Sequence, residues 1–103
     1  MQLSFSGSNQ HSVSVIITTH NSREFLSTVI ESVLSQTYSA VEIIVVDDGS
    51  TDDTKVVCDL YPELIYIYQA HQGAASARNT GIGASQGEYV VFLDRDDCLV
   101  NIY

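Results

Sequence analysis

Basic residues are scarce: four Lys and Arg stand against 13 Asp and Glu, a net charge of −9 over 103 residues. That balance excludes a protein that grips nucleic acid through its phosphate backbone, which needs clustered cations. Cysteine is sparse too. Cys58 and Cys98 have the spacing of neither a disulfide framework nor a zinc site, so a reducing, cytoplasmic setting is the default expectation. His11, His20 and His71 lie far apart and argue against zinc as well. No apolar run approaches membrane-spanning length. The first dozen residues have neither a cationic start nor an apolar stretch, which argues against a signal peptide. There is no internal repeat and no low-complexity linker. What is present, 45% apolar and 17% charged residues, reads as one small globular domain.

Residues 1–12 are polar and read as a loose, flexible tail, leaving 13–103 as the domain. Val13 to Thr19 is short, apolar and β-branched, the pattern of a buried strand. Asn21 with Glu24 predicts a capped helix start. Phe25, Leu26, Val29, Ile30, Val33 and Leu34 follow at helical spacing. Val41 to Val46 predicts a second strand and Gly49-Ser50 a turn. Ser50 and Asp53 predict the cap of a second helix that ends before Pro62. Leu64 to Tyr68 reads as a third strand, Gly73 to Ala84 as a small-residue helix with Gly87 at its exit, and Glu88 to Leu93 as a fourth strand. This alternation predicts an α/β, Rossmann-like parallel sheet with flanking helices. Right-handed crossovers put all the strand carboxyl ends on one edge, where ligands of such sheets bind.

The acidic residues are not scattered. Seven of the 13 fall in two clusters at the ends of apolar runs: Asp47, Asp48, Asp52 and Asp53, then Asp94, Asp96 and Asp97. Asp52 and Asp53 are explained by a following helix start. Asp47 and Asp48 are neighbours on a strand end, so their side chains point to opposite faces, one to a cleft and one to the scaffold. An ionised carboxylate only accepts hydrogen bonds, so one in a cleft suits a base bearing a ring N–H, such as uracil, thymine or guanine, and not cytosine. Three carboxylates in Asp94-Arg95-Asp96-Asp97 repel one another, and a divalent cation relieves this; their hard oxygens suit Mg²⁺ or Mn²⁺ with further ligands from substrate phosphates. The bland alternative is an acidic loop and cap. Arg78 could meet a diphosphate or form a surface ion pair. His20 could stack on a base or stay idle in its loop. Gly81, Gly83 and Gly87 have the wrong spacing and context for a dinucleotide loop. Cys98 beside carboxylates reads as a packed side chain and not a nucleophile.

The segments VSVIITTHN, VVDDGSTDDT and QGAASARNTGIGASQGEYVVFLDRDD, in that order and spacing, resemble the family 2 glycosyltransferases of GT-A fold over about residues 13 to 98. The resemblance implies that Thr18, His20, Asn21 and Asp48 line the nucleoside pocket, with Asp48 on the base edge and Arg78 near the diphosphate. It implies a DxD motif in Asp94 and Asp96, with Asp96 as the direct metal ligand and Asp94 nearer the ribose. The implied reaction is metal-dependent transfer of a sugar, with inversion, from a nucleotide-diphosphate sugar (UDP-sugar favoured) to a hydroxyl of a saccharide or lipid-linked acceptor. Polysaccharide or cell-envelope biosynthesis is the implied setting, at the inner face of a membrane if membrane helices follow. This chain departs from the family pattern at Thr18 (often Pro), His20 (often Tyr), His71 (often Asn) and Arg95 (usually small).

The chain reads as the donor-binding front half of such an enzyme, with the acceptor site and catalytic base expected beyond Tyr103. Two alternatives stand beside it. One is a non-catalytic nucleotide-binding module. The other is a phosphatase of haloacid-dehalogenase type, which VVFLDRDDCLV also resembles, with Asp94 as nucleophile and Asp96 as acid. That motif wants Gly and Thr where Asp97 and Cys98 stand, and should open the fold.

Overall fold

The computed structural model describes residues 13–35 and 41–93. Seven elements alternate: β1 (Val13–Thr19), α1 (Arg23–Leu34), β2 (Val41–Asp48), α2 (Thr54–Cys58), β3 (Ile65–Gln69), α3 (Ala74–Ala84) and β4 (Tyr89–Leu93). The expected tail over 1–12 and the acidic cluster at Asp94, Asp96 and Asp97 lie outside the described residues.

The strands form one parallel sheet in the order β3-β2-β1-β4. All seven residues of β1 are buried, as its β-branched, uncharged sequence predicts for a strand with a neighbour on each side. The odd-numbered members Val15, Ile17, Ile43 and Val45 face Leu26, Val29, Ile30 and Val33 of α1. The even-numbered Ile16, Ile44 and Val46 face Ala77 of α3. Each fully buried Val or Ile side chain is worth about 1.5–3 kcal/mol relative to exposure, so this two-sided core holds the sheet. Phe25 does not join it. It is 46% exposed, one position off the buried stripe of α1.

Small residues on α3 have a packing reason. A Cβ on Gly81 would lie 2.4 Å from Ile16 Cγ2, so only glycine lets the helix approach the central strand this closely. Gly87 is explained the same way and not by a helix exit: its added Cβ would meet the Ser14 nitrogen at 2.7 Å. Its own N–H donates to Ser14 Oγ at 2.9 Å, and Ser14 Oγ in turn donates to the buried Glu42 carboxylate at 2.6 Å. Glu42 also accepts the Gln86 N–H at 2.8 Å. This polar knot ties the loop before β4 to the amino-terminal edge of the sheet, opposite the carboxyl edge.

Two expected helix caps are corrected. The position before α1 is Ser22, not Asn21, and it makes no side-chain cap. Asn21 has φ 49°, a left-handed conformation that Asn tolerates well, and its amide turns instead to Thr51. At α2 the position before the helix is Asp53, again without a side-chain cap. Asp52 does the capping, accepting the Thr54 N–H at 3.1 Å and the Thr54 hydroxyl, while Ser50 serves the β1–α1 turn.

Candidate functional site

The chain winds from β1 outward through β2 to β3, then crosses over α3 to place β4 on the other side of β1. The winding therefore reverses between β1 and β4. The crevice beyond the strand carboxyl ends at such a reversal is where open α/β sheets bind ligands. Thr18, His20 and Asn21 come at the end of β1, Asp48 ends β2, and Leu93, the residue before Asp94, is the register partner of Ile17 on β1. The ends of β1, β2 and β4 thus lie along one edge, and Asp94 to Asp97, which follow β4 in the sequence, lie outside the described residues.

The alternation of the two aspartates holds. Asp47 lies on the α1–α2 side. Its Oδ2 accepts the Tyr66 hydroxyl at 2.6 Å and its Oδ1 the Ser50 N–H at 2.9 Å. Burial and the Asp47 hydrogen bond both push the Tyr66 phenol well above its ordinary range, so it stays a neutral donor. Asp47 is scaffold.

Asp48 lies on the α3 side and is 4% exposed. Its Oδ1 accepts from Gln69 Nε2 at 2.9 Å and the Gln72 N–H at 2.8 Å; its Oδ2 accepts the Gly73 N–H at 2.9 Å and sits 3.0 Å from His71 Nδ1. Burial opposes the charge, but these donors and the nearby imidazole outweigh it and hold the Asp48 carboxyl below the usual carboxylate range. The carboxylate lies at the start of α3, where the helix dipole also favours an anion. Asp48 therefore pins the β3–α3 loop from below.

Two histidines close over the backbone of Asp48. His20 Nδ1 lies 2.7 Å, and His71 Nδ1 3.1 Å, from the Asp48 carbonyl oxygen. Their rings stack with centroids 4.3 Å apart and a 30° tilt. Gly49, at φ 78°, makes this possible, because a Cβ there would stand 2.7 Å from the His71 nitrogen. In the sequence His71 stands out as a departure from a family pattern and as one of three histidines too far apart for zinc, with no role at this site. Its place immediately after the carboxyl end of β3 was the signal available.

Thr18 is buried on the same sheet face as Ile16 and Val46. Arg78 sits on α3 beside the buried Ala77, about one turn beyond the loop that Asp48 holds, and pairs with no carboxylate among the described residues. Asp94 and Asp96 lie outside those residues. Among the described ones no group of His, Cys, Asp and Glu could hold a metal ion. A separate hollow of 340 Å³ opens on the α2 side, lined by Asp47, Ser50, Asp52, Lys55, Tyr66 and Tyr68.

A parallel sheet in the order β3-β2-β1-β4, with its winding reversing between β1 and β4, defines an open α/β class whose members bind ligands beyond the strand carboxyl ends. Residues 14–100 match the family model of glycosyl transferase family 2, and the chain belongs to that family. It is 49% identical over 90 residues to the uncharacterized glycosyltransferase alr2836 of Nostoc, covering 82% of this chain and 28% of that protein. It is 38% identical over 95 residues to glycosyltransferase GlyA of Streptococcus pneumoniae, covering 88% of this chain and 14% of that one. The chain thus spans well under a third of either relative.

Solved structures agree. Staphylococcus aureus TarS 1–349 in complex with UDP superposes with a TM-score of 0.77 at 30% identity, over 82% of this chain and 27% of that one. Glucosyl-3-phosphoglycerate synthase of Mycobacterium tuberculosis, solved with Mn²⁺, UDP and glucosyl-3-phosphoglycerate, gives 0.73 at 27% identity over 84% of this chain and 34% of that one. The mannosyltransferase PcManGT of Pyrobaculum calidifontis, solved with GDP-Man and Mn²⁺, gives 0.75 at 28% identity over 88% and 29%. The expected GT-A fold is thereby established. The phosphatase alternative needed its nucleophile strand to open the fold, and the strand leading into Asp94 is β4, the last one described.

Proposed function

We propose that residues 13–103 form the donor-nucleotide part of an inverting glycosyltransferase that uses a nucleotide-diphosphate sugar, UDP-sugar favoured, and Mg²⁺ or Mn²⁺. The observation that carries this is the convergence of the β1, β2 and β4 ends on the crevice where the winding reverses. Neighbours of the same fold were solved with UDP or GDP-Man, two of them with Mn²⁺.

The residues present fit such a metal. Leu93 ends β4 at this edge, and the sequence continues into Asp94 and Asp96, whose carboxylate oxygens are the hard donors these ions take. Asp96 is the proposed direct ligand and Asp94 the residue nearer the ribose. When bound, the ion supplies Lewis-acid stabilisation of the leaving diphosphate. Arg78 adds a guanidinium toward the same phosphates. Thr18 and His20 line the nucleoside, and Asn21 acts from behind it.

The Asp48 carboxylate has about four acceptor positions; three take hydrogen bonds from Gln69 and the Gln72 and Gly73 N–H groups, and His71 Nδ1 stands 3.0 Å from the remaining one. A uracil ring N–H therefore takes the place of a side-chain donor, Gln69 or His71, while the Gln72 and Gly73 N–H groups hold the carboxylate in place. Cytosine, with an acceptor at that ring position, leaves the exchanged lone pair facing another lone pair. The acceptor, a saccharide or lipid-linked hydroxyl, and the base that deprotonates it are assigned to none of these residues, because the chain spans 28% of its Nostoc relative. On this reading the chain alone binds nucleotide and transfers no sugar. Work on cell-envelope polysaccharide at the inner face of a membrane is part of the same proposal.

Titration calorimetry with UDP tests it. Binding should require Mg²⁺ or Mn²⁺, because a protein of net charge −9 otherwise meets a polyanion. Asp96→Ala should remove the metal-dependent part while circular dichroism stays unchanged. UDP binding of equal strength in EDTA, or full metal enhancement in Asp96→Ala, would overturn the metal assignment.

A further inference from the structure

Four hydrogen bonds fix which nitrogen of His20 carries a proton. The Asp48 carbonyl, 2.7 Å from Nδ1, can only accept, so Nδ1 is protonated. At the other end of the ring, Nε2 lies 3.4 Å from the Asn21 amide nitrogen. The orientation of that amide is set in turn. Asn21 Oδ1 accepts the Thr51 backbone N–H at 2.8 Å and the Thr51 hydroxyl at 3.3 Å, and a backbone N–H can only donate. The amide nitrogen must then be the group facing His20, and since it too can only donate, Nε2 must carry a lone pair. These contacts point to the Nδ1–H tautomer, with Nε2 as the acceptor.

Asn21 reaches this position through its backbone. Its φ of 49° turns the residue, and its own N–H donates to Ser50 Oγ at 2.8 Å. Ser50 N–H is held by Asp47, which Tyr66 holds in turn. The relay runs from β3 through the scaffold aspartate to the His20 ring.

We propose that Asn21 is a positioning residue that selects the Nδ1–H tautomer of His20 with both nitrogens engaged, so that His20 offers a nucleotide only a ring face. His71 already covers one face of the pair at 4.3 Å. His20 then contributes stacking without hydrogen-bond readout, and base choice falls to Asp48 and the β3–α3 loop. The tautomer lock stands on the free protein; its bearing on binding rests on the donor site proposed above.

Two measurements test it. Long-range ¹H–¹⁵N NMR of the free protein should show His20 with a protonated Nδ1 and a pyridine-like Nε2. Asn21→Asp, which keeps a side chain that tolerates the left-handed backbone, puts an acceptor in place of the amide N–H opposite Nε2 and should move the Nε2 resonance away from its pyridine-like position. A protonated Nε2 in the unaltered protein, or an unchanged Nε2 in Asn21→Asp, would overturn the proposal.

The second measurement is a double-mutant cycle on UDP affinity in Mg²⁺. Asn21→Gly, compatible with φ 49°, should weaken UDP several-fold in the parent chain and less than twofold in His20→Phe, whose ring has no nitrogens to orient. Equal losses in both backgrounds would mean that Asn21 acts as general scaffold and would overturn it. A parent chain that binds no UDP at all would instead contradict the donor-site reading, and the NMR result would still decide the lock.

Discussion

Asp48 and Gly73, 25 residues apart, are joined by a 2.9 Å hydrogen bond from the glycine N–H to the aspartate Oδ2, which ties the end of β2 to the start of α3. The Gln72 N–H binds the other oxygen of the same carboxylate. Asparagine cannot reproduce this, since one of the two backbone donors would face an NH₂ group. Asp48→Asn should therefore destabilise the fold by roughly 1–3 kcal/mol, read by urea unfolding at neutral pH. The Asp48 carboxyl is held below its ordinary value of 3.8 when folded. Its contribution is thus complete above the unfolded value and is lost as pH falls through the lower folded one. The gap between parent and variant should shrink in acid. A gap that does not change with pH would mean the charge plays no part.

Tyr66→Phe removes the hydroxyl that satisfies Asp47 Oδ2 and leaves a buried carboxylate oxygen without that donor. The expected cost is about 1–3 kcal/mol. It should be seen below the unfolded tyrosine pKa and should diminish as alkali ionises the phenol, because the folded value is the raised one. Unfolding curves of the two proteins that superimpose at neutral pH would contradict this.

Gly87→Ala drives a Cβ to 2.7 Å from the Ser14 nitrogen and 2.8 Å from the Val13 carbonyl carbon, backbone atoms of a central strand. The loop must move, and the Gln86 and Gly87 bonds to Glu42 and Ser14 go with it. Destabilisation of roughly 1–3 kcal/mol is expected. Hydrogen exchange should quicken at Gln86 and Gly87. UDP affinity should change little, because this knot lies at the edge opposite the crevice.

Cys58 is buried, and its thiol is pushed up to about 12 by that burial and by the charges of Asp47 and Asp59, with Lys55 opposing. The thiolate is the reactive form, so native Cys58 should resist iodoacetamide at mild pH and react once urea unfolds the chain. Peptide mass spectrometry would follow it separately from Cys98. Rapid native alkylation of Cys58 would contradict the packing described.

The sheet was legible wherever residues obey one dominant force. β1 has the bounds its β-branched run predicts, and the four-fold alternation implied a parallel sheet. β2 runs two residues further than its apolar stretch because Asp47 and Asp48 are held in the ladder opposite Thr19 and Gln69. Their strand conformation is set by neighbours and not by propensity. Caps were misplaced for a related reason. Asn21, Ser50 and Asp52 all carry local hydrogen-bonding groups, and which one caps depends on partners about 30 residues away. The Ser14–Glu42 pair and the His20–His71 stack join segments distant in sequence and leave no periodic trace. The opposite facing of Asp47 and Asp48, by contrast, follows from strand alternation alone.

On the proposed reading, nucleotide binds beyond the carboxyl ends of β1, β2 and β4. Amide NMR of the ¹⁵N-labelled chain, titrated with UDP in Mg²⁺, tests it most directly. The largest shifts should fall on His20, Asn21, Gly49 and His71 through Gly73, with Arg78 following, while Ser14, Glu42, Gln86 and Gly87 at the opposite edge stay still. Shifts centred on that opposite edge, or on the Tyr66–Tyr68 hollow beside α2 with the His20 and His71 amides unmoved, would contradict the account.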